Sequence, residues 1–131
     1  MESRQGWYFI VACVWAGCAL AADSGASAAN TSDEAELERL HHEIVTMIGQ
    51  PRCVNLVHCR VLPLGSRPCG GPAEYLAYAS SANRELLESK AYEYGFLQEE
   101  INRSRGAVGT CQALAAPRVD CVDARCILTS P

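Results

Sequence analysis

The stretch Cys53–Tyr78, CVNLVHCRVLPLGSRPCGGPAEYLAY, decides how the rest of the chain is read. Its apolar period is two: Val57, Cys59, Val61 and Pro63 alternate with His58, Arg60 and Leu62, as in a strand of six or so residues. Pro63 has no N–H to give a ladder, so it closes that strand or places it at a sheet edge. Gly65, Ser66, Pro68, Gly70, Gly71 and Pro72 follow too densely for regular structure and predict a loop. Glu74–Ala79, EYLAYA, predicts a second strand with Tyr75 and Tyr78 on opposite faces.

Three cysteines of this stretch, Cys53, Cys59 and Cys69, are matched downstream by Cys111, Cys121 and Cys126. The other two, Cys13 and Cys18, lie near the N-terminus. Six is an even number with no C-x2-C pair, which argues for disulfides rather than structural zinc; parity alone leaves 15 pairings open. Val119–Cys121 and Cys126–Leu128 flank the turn Val122–Arg125 and predict a hairpin. With Val57–Pro63 as its third strand, the hairpin sets Cys53 and Cys59 against Cys121 and Cys126 and leaves Cys69 for Cys111. A local Cys53–Cys59 bridge is the competing arrangement.

Two helices complete the pattern. Thr31 and Glu34 form a capping box ahead of Leu37, Leu40, Ile44, Met47 and Ile48, one apolar helical face that Gly49 and Pro51 end. Asn83 caps a second helix to about Asn102, with the stripe Leu87, Ala91, Tyr94, Leu97 and Ile101. Gly95 within it permits close packing or marks a kink, and Gly106 and Gly109 terminate it. The expected fold class is α+β: two amphipathic helices packed on a small antiparallel sheet and stapled by disulfides.

Upstream, residues 1–21 read as a signal peptide: Arg4, an apolar run from Trp7 to Leu20, and Ala19-Leu20-Ala21 before the cleavage point. The run is shorter than the roughly 20 residues a membrane-spanning helix needs. Trp15-Ala16-Gly17-Cys18 is the competing signal, similar to a bacterial lipobox apart from Trp15, and would lipidate Cys18. Residues 22–32 are small and polar and predict a flexible linker, leaving residues 33–131 as one small disulfide-rich domain. Asn30-Thr31-Ser32 and Asn102-Arg103-Ser104 match the glycosylation sequon and are read as chance matches.

The chain carries a net charge of −4 and no basic run, which argues against nucleic acid as a partner. Carboxylates are missing from Ile44 to Ala73, where Arg52, Arg60 and Arg67 stand, and again from Ile101 to Val119. That pattern marks either a cationic partner-facing surface or a layer that complements the acidic helices. The candidate surface comprises Arg52, Arg60, Arg67, Gly70, Gly71, Pro72 and Tyr75. His41 and His42 diverge by about 100° on a helix and read as solvated residues beside the core stripe. His58 stands alone, and no nucleophile, base and orienting group share a pattern, so no catalytic residue, metal site or cofactor is expected.

The pattern C-x5-C-x9-CGGP-x2-Y, carried by Cys53, Cys59, Cys69–Pro72 and Tyr75, resembles that of small exported cysteine-rich bacterial proteins of unknown function. The resemblance implies export and disulfides and assigns no catalytic residue. The expectation is a periplasmic or secreted binding or envelope-associated protein, with a protein or envelope component as partner and membrane contact only through a lipidated Cys18. The alternative is a secreted hydrolase inhibitor presenting the Gly65–Pro72 loop.

Overall fold

The computed structural model describes the backbone over residues 25–131 and side chains from residue 31 onward. The expected leader, with Cys18, lies outside the described residues. Along the chain run α1 (Gly25–Ile48), a 3-10 turn (Leu56–His58), β1 (Cys59–Leu64), β2 (Glu74–Ala79), α2 (Arg84–Ser104), β3 (Arg118–Val122) and β4 (Arg125–Thr129). The protein is α+β, with two helices, four antiparallel strands and three disulfides among the described residues. No described helix is long and apolar enough to cross a membrane.

Helix α1 starts at Gly25, ahead of the Thr31 capping box, so part of the stretch expected as linker is helical. Ala26, Ala28 and Ala29 carry no helix penalty and extend the helix upstream. It stops where expected, at Gly49, whose φ of +54° suits a residue without a Cβ and whose N–H donates to Val45 O at 3.0 Å. Helix α2 begins at Asn83, whose Oδ1 accepts the Leu86 N–H at 3.2 Å, and ends at Gly106, where φ is +57°. Gly109 lies beyond that end, against Pro68 and the Cys69 sulfur.

Strand β1 begins at Cys59, two residues after the expected start, because Asn55 Oδ1 accepts the Val57 N–H and turns Leu56–His58 into 3-10 geometry. It pairs with β2 in the register Cys59↔Ala79 through Leu64↔Glu74, and Pro63 sits inside an edge strand as its missing N–H demands. The ribbon is packed on both faces. Leu62, Leu64, Leu76 and Tyr78 enter a core with Leu40 and Ile44 of α1 and Leu87, Ala91 and Tyr94 of α2. Cys59, Ala77 and Ala79, on the other face, pack with Cys53, Cys121, Cys126 and Val119.

The hairpin β3–β4 corrects the expected strand order. It forms its own two-stranded sheet and stacks on the face of the β1–β2 ribbon instead of adding a third strand. The Cys59 sulfur stands out from the ribbon's face, which forces that arrangement. Main-chain contact reaches only the segment before β1: Cys53 N–H donates to Ala124 O at 3.1 Å and Cys126 N–H to Pro51 O at 2.8 Å. The bridges are Cys53–Cys121, Cys59–Cys126 and Cys69–Cys111, with Cα separations of 6.0, 5.5 and 5.0 Å, so the local Cys53–Cys59 alternative is not formed. The hairpin turns through Asp123 (φ +50°) and Ala124 (φ +59°), the geometry of a type I′ turn.

Gly65 and Gly95 lie where β1 meets α2. A Cβ on Gly95 would meet Gly65 O at 3.6 Å, an ordinary van der Waals contact, and the helix runs unbroken through it. This glycine therefore neither marks a kink nor is required by the packing. A Cβ on Gly65, where φ is +77°, would fall 2.3 Å from Gln98 Oε1 and 2.9 Å from Ala73 Cβ. No side chain fits there.

Candidate functional site

The residues of the expected binding surface part company in the structure. Arg60 folds onto its own backbone, donating to Val57 O and Cys59 O, both at 2.8 Å. Arg67 donates to Gln112 O at 2.9 Å and ties its loop to the segment before β3. Arg52 is exposed and faces Arg125 across an isolated antiparallel bridge. Tyr75 is half-buried, its hydroxyl donating to Leu114 O at 3.4 Å. Only Gly71 and Pro72 reach the groove described below.

The acidic helices neutralise this layer only in its second stretch, through Arg103 and Arg105; Arg52, Arg60 and Arg67 have no carboxylate partner among the described residues. Among the described residues, the helix carboxylates pair with the helices' own cations or those beside them: Arg39 with Glu36 and Glu43, Arg84 with Glu88, Lys90 with Glu43 and Glu93, Arg103 with Glu99 and Glu100, and Arg105 with Glu34. His41 departs from the solvated position expected of it. Its Nε2 lies 3.1 Å from Glu74 Oε1 and its ring packs 5.7 Å from that of Tyr94, joining α1 to β2. Burial, and then the Glu74 charge, hold the Tyr94 phenol above its ordinary pKa.

The Gly65–Pro72 loop is held at its base and bare at its tip. Ser66 N–H donates to Gln98 Oε1 at 2.6 Å, Asn102 Nδ2 donates to Ser66 O at 2.9 Å, and Cys69 is bonded to Cys111. Asn102, inside α2, therefore commits an amide hydrogen to the loop. Gly70 and Gly71 project with φ of +90° and +82°, and a Cβ on either would touch nothing within 4 Å.

Beside this loop lies a groove of about 520 Å3 between β1 and α2. Val61, Leu62 and Pro63 form one side; Tyr92 and Phe96 form the other, 78% and 57% exposed. Ala91, Gly95 and Gly65 line it between them, and Glu88 and Glu99 complete the helical lining. Tyr92, Phe96 and Glu88 escaped the sequence reading, which followed only the core stripe. The second stripe, Glu88, Tyr92, Phe96 and Glu99 at spacings of 4, 4 and 3, was the available signal: two aromatics one turn apart on a face that the core does not use.

The β1 edge beside this groove has open backbone groups. Ser80 N–H donates to His58 O at 2.7 Å, so in this register His58, Arg60, Leu62 and Leu64 bond across to β2. Cys59, Val61 and Pro63 turn their backbone groups the other way. Cys59 is already engaged, its N–H on Leu56 O and its carbonyl on Arg60. The Val61 N–H and carbonyl and the Pro63 carbonyl are left facing outward.

A second cleft, of about 330 Å3, is lined by Arg52, Cys53, Val54, His58, Ser80, Ser81 and Ala124. His58 Nδ1 is buried without a hydrogen-bond partner among the described residues, and neither serine is bonded to it. That leaves a base with no activated nucleophile and no orienting carboxylate. The sulfurs of Cys53, Cys59 and Cys126 lie within 4.8 Å of one another, but as disulfide sulfurs they offer no thiolate to a metal. No family model, curated protein or solved structure matches the chain.

Proposed function

We propose that this protein is an exported, non-catalytic binding module that receives its partner in the groove between β1 and α2. Three disulfides suit an oxidising compartment, and the leader and the resemblance of the Cys53–Tyr75 pattern supply the case for export. One observation carries the choice of site: two large aromatics, Tyr92 and Phe96, stand exposed beside a concave floor of Ala91 and Gly95. Aromatic residues around a pre-formed hollow are the usual anchors of recognition.

The hydrolase-inhibitor reading has the pinned Gly65–Pro72 loop in its favour, since an ordered loop loses little entropy on binding. Its tip, Cys69-Gly70-Gly71, carries no free side chain to fill a specificity pocket, so it ranks second. Partner capture from envelope extracts distinguishes them. Phe96→Ser combined with Tyr92→Ser abolishes capture under the groove reading, while Gly70→Ser leaves it intact. The reverse pattern would transfer the function to the loop.

A further inference from the structure

Resting on the groove reading, we infer that the groove takes an extended peptide as a short third strand on β1, with apolar residues at its centre and a cation at each end. The backbone supplies one half of this recognition. The outward Val61 N–H, Val61 carbonyl and Pro63 carbonyl are one donor and two acceptors on an edge that β2 does not cover. Pro63 withholds a further donor, so pairing is limited to about three hydrogen bonds and cannot propagate along the strand.

The side chains supply the other half. Tyr92 and Phe96 form the opposite wall and meet every second residue of a strand lying along β1. Glu88 and Glu99, eleven residues apart on α2, stand about 16 Å from each other along the helix axis. Side chains an even number of steps apart share a face of an extended chain. Six steps, about 20 Å at ~3.3 Å each, set two end residues and the third and fifth residues all toward α2, and flexible lysine stems take up the difference. No cation lines the groove itself. Each glutamate pairs with an exposed arginine one turn away, Arg84 or Arg103, through one oxygen, a contact weak enough for a peptide ammonium to join or displace. A seven-residue segment with a basic residue at each end and apolar third and fifth residues is the complementary ligand.

The test uses the acetylated, amidated heptapeptide Lys-Thr-Val-Thr-Val-Thr-Lys against the oxidised protein, read by amide chemical shifts and hydrogen exchange. Saturable binding is expected, with slowed exchange at the Val61 amide. Placing Glu at both peptide ends, or changing Glu88→Gln with Glu99→Gln, weakens binding several-fold. Methylating a backbone nitrogen that points at β1, on a central threonine for an antiparallel strand or on a valine for a parallel one, weakens it about fivefold, the worth of one hydrogen bond. An unprotected Val61 amide, equal affinity for the Glu-ended peptide, or indifference to methylation at every threonine and valine overturns the inference. So does concentration-dependent dimerisation through the Val61 edge, which would assign the groove to a second copy. If the peptide fails while Phe96→Ser with Tyr92→Ser still abolishes partner capture, the groove reading stands and the added-strand mode falls; if capture survives that pair, the groove reading falls.

Discussion

The two faces of the β1–β2 ribbon are buried by different means. Toward the helices the contact is aliphatic and aromatic, with Leu40, Ile44, Leu64 and Leu87 almost wholly inaccessible. Toward the hairpin it is mainly sulfur and alanine: Cys53, Cys59, Cys126, Ala77 and Ala79. Hydrophobic burial scales with area, and a hairpin of five-residue strands facing alanines has little to offer. Two cross-links do there what volume does on the helical side. A third, Cys69–Cys111, is exposed and holds only a loop. Chain entropy separates the hub bridges from it by only ~0.4 kcal/mol, for loops of 68 and 42 residues, so the distinction lies in what each bridge anchors.

Removing both hub bridges, by changing Cys53, Cys59, Cys121 and Cys126 to Ala, is the most damaging test, with a stability loss above about 4 kcal/mol. Hydrogen exchange should show protection lost over residues 118–129 while α1 and α2 keep theirs. Uniform loss would mean the two cores are not separable. On the helical side, Leu87→Ala should cost about 3 kcal/mol by denaturant titration with every disulfide intact. Gly65→Ala comes next at about 2–3 kcal/mol, from a positive φ and the overlap with Gln98 and Ala73.

Ala124→Gly runs in the opposite direction. Relieving a left-handed alanine in the hairpin turn should raise stability by about 1 kcal/mol, a thermal midpoint several degrees higher. The gain should vanish when the hub bridges are absent, because the turn then no longer docks through Ala124 O on Cys53 N–H. Smallest is Phe96→Ser, expected within about 0.5 kcal/mol of the parent while eliminating partner capture.

Much of this architecture was legible in the chain. Period-two residues in Cys53–Tyr78, the stripes of both helices and the spacing of six cysteines led to the α+β class, to Cys69–Cys111 and to Cys53 and Cys59 set against Cys121 and Cys126, with the choice between those last two left open. Period two reports which face a residue takes, but not whether a neighbour joins at the edge or on the face, so the stacking of the hairpin was hidden. Asn55 hid the start of β1 because a side chain competing for one backbone N–H leaves no periodic trace. The candidate site was read from charge, through Arg52, Arg60 and Arg67. Those arginines serve the backbone or stand apart, whereas the groove is built of aromatics that a search for the core passes over.

The cross-links also constrain the order in which the molecule is made. Cys53 and Cys59 are joined to cysteines 68 and 67 positions further along, which emerge after Cys69 and Cys111. Until Cys111 emerges, every bridge that Cys53, Cys59 and Cys69 can make with one another is non-native. Any bridge made during that interval has to be broken by thiolate exchange before the hairpin can dock. The final covalent map is therefore written by tertiary stacking and not by order of appearance, and maturation should be paced by disulfide isomerisation over seconds to hours rather than by the millisecond collapse of the helices.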